Sequence, residues 1–179
     1  MKKHSGMRPQ DILVLLKIAA LEGDNWYYKD IAHELGISGS EVSESVNRSK
    51  FAKLIDKSGR KLKALALMDF LVYGLKYVFP AKPGELTRGM PTAHSAPPLC
   101  ERIRSEQSYV WPIPDGAILG FAIEPLYETV TFAANRDPRF YELMSLVESI
   151  RVGKARESGI AIEELRMRIE DGYAARDHH

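Results

Sequence analysis

Apolar residues Ile12, Leu15, Leu16 and Ala19 recur at three- and four-residue spacing, which predicts a helix from Pro9 to about Glu22. Pro9 suits its first position, and residues 1–8 read as a loose leader. Gly23-Asp24-Asn25 breaks that helix, and Trp26-Tyr27-Tyr28 forms a bulky anchor. A short helix follows from about Lys29 to Leu35, with Ile31, Ala32 and Leu35 on one face, and Gly36 supplies its left-handed C-cap. Ile37 plugs the core. Ser38 or Ser40 caps the next helix, with Glu41 or Glu44 placed to complete a capping box. That helix turns Val42 and Val46 inward and runs to about Lys50. Lys53–Leu62, folding at Lys57-Ser58-Gly59-Arg60, predicts a short hairpin. A strongly apolar helix from Ala64 to Val78 then stops at Phe79-Pro80.

Beyond Pro80 the pattern changes. Five prolines and two glycines fall between Pro80 and Pro98, and this stretch reads as a stiff connecting strap. Leu99–Ser105 suggests a short helix. Tyr109–Pro114 and Ile118–Ile123 look extended and joined by a turn at Asp115-Gly116, a small β-hairpin. Pro138 opens a helix with Phe140, Leu143, Met144 and Val147 on its apolar face. A last amphipathic helix covers about Ala161–Glu170. The expected fold class is mainly α (α+β). Its expected domains are residues 9–80 and a strap-plus-α+β region, 81–179, for dimerisation or partner binding.

Composition adds limits. The chain has 179 residues, 45% hydrophobic and 27% charged, enough for a proper core without staples. The single cysteine, Cys100, allows no internal disulfide. No apolar run reaches the roughly 18 residues of a membrane span, and no signal-peptide pattern follows the basic start, so a cytoplasmic location is expected. The net charge of +1 conceals a division: residues 1–50 balance, 51–90 carry +5 and 91–179 carry −4. A positive middle beside a negative tail suits a protein that meets phosphate on one side.

The motif that carries function spans residues 28–50: Tyr28-Lys29-Asp30-Ile31-Ala32-His33-Glu34-Leu35-Gly36-Ile37-Ser38-Gly39-Ser40-Glu41-Val42-Ser43 and its continuation to Lys50. Two short helices meet at a glycine turn, and the second is rich in small polar residues, as a helix entering a groove about 12 Å wide must be. Ser38, Ser40, Ser43 and Asn47 offer hydroxyl and amide groups to base edges or phosphates. From Arg48 to Lys63 seven basic residues face one acid, Asp56.

On Ala32, the Gly36 turn, the Ile37 plug, the Ser38–Ser40 helix start, Val42 and Val46, residues 9–80 resemble the winged helix-turn-helix of prokaryotic transcriptional regulators of the MarR kind. The resemblance implies that Lys57–Arg60 is the tip of a wing lying along the phosphate backbone or minor groove. It implies a regulator that binds double-stranded DNA. Ser38, Ser40, Ser43, Glu44 and Asn47 are expected to face bases and Arg48, Lys50, Lys57, Arg60 and Lys61 to hold phosphates, with Gly39 and Glu41 in the same DNA-binding segment. Many relatives carry arginine where this chain has Glu44. Glu41 and Glu44 either accept from cytosine amino groups, or face sideways, or belong to a helix that does not bind DNA.

A dimeric repressor acting by operator occupancy is the leading expectation. The near-ring of apolar residues on Ala64–Val78 calls for cover by the C-terminal half, a second subunit, or both. The alternative is a protein-interaction adaptor, such as an antitoxin-type partner of an effector encoded nearby. The C-terminal half shows no catalytic pattern, and neither enzyme activity, cofactor nor metal is expected. His94 reads as a satisfied surface histidine, Cys100 as a small buried hydrophobe, and His94, Glu101 and Arg102 as a weak rival enzyme site. Tyr109, Trp111, Phe121 and Tyr127 read as core or interface aromatics. His178-His179 receives no role.

Overall fold

A computed structural model describes residues 6–21, 23 and 25–172. Residues 1–5, Glu22, Asp24 and residues 173–179, and with them most of the leader, part of the expected break after the first helix, and His178-His179, lie outside the described residues.

The protein is mainly helical with one small three-stranded sheet. Helix α1 (Pro9–Ala20) begins at a proline, and Asp11 accepts the Arg8 backbone N–H at 2.8 Å. From Gln10 to Ala20 every residue of α1 is buried. A helix buried on all sides is a central one. Helices α2 (Tyr28–Leu35) and α3 (Gly39–Phe51) pack on one side of it, and α7 (Pro138–Val152) packs on another. The hydrophobic core therefore runs without a break across the 80/81 boundary that composition suggests.

The expected hairpin after α3 is reduced to one antiparallel bridge, Ile55 to Leu62. The expected helix over 64–78 divides at Gly74 into α4 (Ala64–Tyr73) and α5 (Leu75–Val78). Only Leu67, Met68, Leu71 and Leu75 of that segment are buried, whereas Leu65, Tyr73, Tyr77 and Val78 stay exposed. The apolar ring is thus half covered.

The largest correction concerns the strap and the hairpin. Leu86–Pro91, inside the strap, forms β1, which runs antiparallel to both β2 (Tyr109–Pro112) and β3 (Ile118–Ala122). The latter two pair with each other in parallel, Tyr109 against Phe121, so the three strands close into a small barrel rather than a hairpin. Closure brings backbones very near: a Cβ on Gly116 would overlap the Gly89 backbone, so this crossing admits only glycine. Trp111, fully buried, fixes the barrel to the core.

The remaining helices are α6 (Val130–Arg136), which the sequence reading lacked, α7, and α8 (Ala155–Arg166), followed by a π-helical turn at Met167–Asp171. The expected helix at Leu99–Ser105 shrinks to a 3₁₀ turn, Leu99–Glu101. Asp137 caps α7 by accepting the N–H groups of Arg139 and Phe140, and it also binds the buried ammonium of Lys17 from α1 at 2.6 Å. That one carboxylate joins the N-terminal helices to the C-terminal half. No helix among the described residues is long and apolar enough to cross a membrane.

Candidate nucleic-acid interface

The site is built on the α2–α3 pair. Gly36 ends α2 at φ 68°, where the lack of a side chain avoids left-handed strain. The ring of Phe132 from α6 covers this turn, and a Cβ at Gly36 would sit 3.0 Å from it. Ala32, Val42 and Val46 are buried as the pattern predicts, and Ile37 is half-buried.

The outer side of α3 follows from helical spacing. Val42, Ser45, Val46 and Ser49 face the core. Ser40, Glu44 and Asn47 are exposed, with Ser43 half-buried between them. Ser38 caps the helix, accepting the Glu41 N–H at 3.2 Å, and Gly39 is exposed beside it. No bulky group interrupts this face until Phe51.

Two of the expected contact residues are committed elsewhere. Glu41 completes the capping box by accepting the Ser38 N–H at 2.7 Å. It also accepts from the Gln10 amide at 2.9 Å and the Tyr127 hydroxyl at 3.3 Å. The Ser38 backbone N–H, the Ser38 hydroxyl and the Gln10 amide hold its carboxyl below the usual carboxylate range. Glu41 is therefore committed to Ser38, Gln10 and Tyr127 rather than projecting freely from α3. Arg48 points inward: its guanidinium, 11% exposed, forks onto Asp11, which is 0% exposed, with Nη2 2.7 Å from Oδ1. A cation so held is committed to Asp11 and turned away from solvent. Glu44 stays outside, with Arg48 Nη1 3.7 Å away.

The loop after α3 supplies the charge. Asp56 organises it, accepting the backbone N–H groups of Arg60 and Lys61, each at 3.0 Å, and the Ser58 hydroxyl at 2.7 Å. Partial burial opposes the charge of Asp56, yet the Lys61, Ser58 and Arg60 hydrogen bonds outweigh it and hold its pKa at about 2. Gly59, at φ 77°, lies on α3 against Val46 and Lys50. This packing anchors the loop against the C-terminal half of α3. Lys57 and Lys61 are exposed on the loop, and Lys50 is half-buried. Arg60 is exposed but oriented: it donates to the Trp26 carbonyl, and its guanidinium carbon lies 5.1 Å from the Trp26 ring centroid. Sequence reasoning missed the organising role of Asp56, although an Asp two residues before Ser-Gly is a known turn signal.

In the rival constellation, His94 and Arg102 are each engaged with other partners. His94 is buried rather than on the surface, with Nε2 2.7 Å from the Gln107 carbonyl and its ring against Tyr109. Arg102 pairs with Glu164, and Cys100 is exposed, not buried. Tyr109 joins Trp111 in the core, and Phe121 and Tyr127 are half-buried. Among the described residues no group of three His, Cys, Asp or Glu side chains stands ready for a metal ion.

No family model, curated protein or solved structure matches this chain. The functional reading therefore stands on geometry and chemistry.

Proposed function

We propose that this protein is a sequence-specific DNA-binding transcriptional regulator of the winged helix-turn-helix type, with α3 as the reading helix and the Asp56-organised loop as the wing. The observation that carries the reading is that the loop is anchored on α3, with Gly59 packed against Lys50, so that two features lie on one stretch of chain. One is a helix face of small polar residues, Ser40, Ser43 and Asn47, and the other is a loop of exposed lysines. The first suits entry into a major groove, and the second suits phosphate contact alongside it. Glu44, the one acid on that face, is positioned to accept from a cytosine amino group.

The regulator acts as a homodimer in this reading. Leu65, Tyr73 and Tyr77 form an exposed stripe along α4 and α5, with Asp69 and Lys76 on the same side. Opposite charges seven residues apart make an antiparallel pairing of two copies self-complementary, Asp69 of each against Lys76 of the other. A two-fold protein reads paired half-sites about 34 Å apart. Operator occupancy then blocks transcription by sterics, in the cytoplasm.

The test is fluorescence anisotropy of a labelled random duplex at about 50 mM salt. Saturable binding is expected. An unbound duplex at micromolar protein overturns the proposal in favour of a protein-interaction adaptor.

A further inference from the structure

Beside the C-terminal end of α3 lies an open groove of about 710 Å³, lined by Lys50, Phe51, Lys53, Ile55, Lys57 and Lys63. Four of these six are lysines and none is acidic. Phe51 is 74% exposed in their midst. An aromatic ring of this size left in water is unusual for a helix terminus with a core at hand.

Lys53 adds an independent observation. It occupies the left-handed position that ends α3, at φ 62°, where glycine is the ordinary choice. Its N–H bonds the Lys50 carbonyl at 3.0 Å, and the Leu54 N–H bonds the Ser49 carbonyl at 2.9 Å, the paired closure of a helix that normally ends in glycine. A lysine held in a conformation unfavourable to side chains points to a use for that side chain.

A paired duplex offers no base faces to Phe51. A ring surrounded by ammonium groups instead matches an unpaired strand, whose bases stack on aromatics while its phosphates follow the charge. We infer that this groove binds a single-stranded nucleic-acid segment next to the duplex held by α3, with a base stacked on Phe51 and the backbone on Lys53 and Lys63. The inference deepens the DNA-binding reading of the adjoining face by naming a second structural class of ligand, the unpaired strand at a junction.

The test compares anisotropy titrations of the full chain with a blunt duplex, the same duplex bearing a ten-nucleotide thymidine overhang, the thymidine strand alone, and the uridine strand. The overhang is expected to tighten binding about tenfold, since stacking of one base contributes on the order of 1–3 kcal/mol. Phe51→Ala is expected to erase that gain and leave blunt-duplex affinity unchanged, and Phe51→Trp is expected to keep it. Lys53→Gly is expected to raise Tm by a few degrees while weakening overhang binding, a split that a purely structural lysine does not give. Preference for the thymidine or the uridine strand tells DNA from RNA as the source. Equal affinity for blunt and overhang duplexes overturns the groove and leaves the duplex reading intact. Strand binding that depends on Phe51, without duplex binding, upholds the groove and overturns the duplex reading. Absence of binding to all four overturns both.

Discussion

Arg48 of α3 and Asp11 of α1 form a forked ion pair across the helix packing, with Nε 2.9 Å from Oδ2 and Nη2 2.7 Å from Oδ1. Asp11 is fully buried and also caps the start of α1. The pair ties α3 to the central helix α1. Removing one partner leaves an uncompensated buried charge, which costs about 3–5 kcal/mol. Arg48→Met is therefore expected to lower unfolding free energy by that order in a urea titration. Adding Asp11→Leu to it is expected to recover much of the loss. If Arg48→Met keeps full stability and only weakens DNA binding, the structural assignment of Arg48 is wrong.

The Asp56-organised loop after α3 predicts a pH signature. The folded pKa of Asp56, about 2, lies below the ordinary value of 3.8. A depressed carboxylate contributes stability above its unfolded pKa and loses it as pH falls through the folded value. The loop is therefore expected to hold at pH 5 and to loosen between about pH 4 and pH 2. Glu41, also depressed by the Ser38 and Gln10 hydrogen bonds, works in the same direction at the start of α3. Carboxyl chemical shifts followed by NMR should show Asp56 titrating near 2, and a midpoint near 4 contradicts the hydrogen-bond assignment.

Charge contact with phosphate has its own measure. Lys50 and Lys57 flank the junction of α3 and the loop that follows it. Their joint replacement by alanine is expected to weaken binding to all duplexes alike. It should also flatten the slope of log affinity against log salt by about 2, since each neutralised phosphate contributes roughly 0.9. An unchanged slope places these lysines away from the DNA.

Strict apolar spacing made four of the helices legible in the sequence. α1, α2, α3 and α7 fall within a few residues of expectation because Leu15, Leu35, Val46 and Phe140 each mark a buried face. Strand β1 was hidden: Leu86-Thr87-Arg88-Gly89-Met90-Pro91 lacks two-residue alternation and contains the residues that usually end strands. The parallel pairing of β2 and β3 depends on β1 and so could not be read either. At the site, the exposed face of α3 was legible from period alone. The fate of Arg48 was not, because its partner lies 37 residues away in a helix whose own pattern shows no vacancy. Charge counts treat a buried arginine and a free one alike.

The Gly36 turn offers a stability test. Alanine there meets the left-handed conformation at φ 68° and the Phe132 ring 3.0 Å from its Cβ. Gly36→Ala is expected to cost about 1–3 kcal/mol in thermal or urea unfolding. Pairing it with Phe132→Leu should return the part due to contact. No loss in the single variant contradicts the packing of α6 on the turn.

The surface of α4 and α5 predicts an association state. Asp69→Lys opposes Lys76 with a like charge across the expected two-fold contact. It is expected to shift the protein toward monomer in sedimentation at micromolar concentration. Asp69→Lys combined with Lys76→Asp should restore the dimer. A wild-type protein that is monomeric at 100 µM rules out this interface.

In the proposed function the Ser40, Ser43 and Asn47 face of α3 reads base edges. Selection of bound fragments from a random duplex pool, sequenced for wild type and for Asn47→Ala, puts that face to the test. Wild type is expected to yield a shared motif, and the variant the same motif with relaxed preference at one or two adjacent positions. A wild-type pool with no enriched sequence, or an identical motif in both proteins, contradicts that reading.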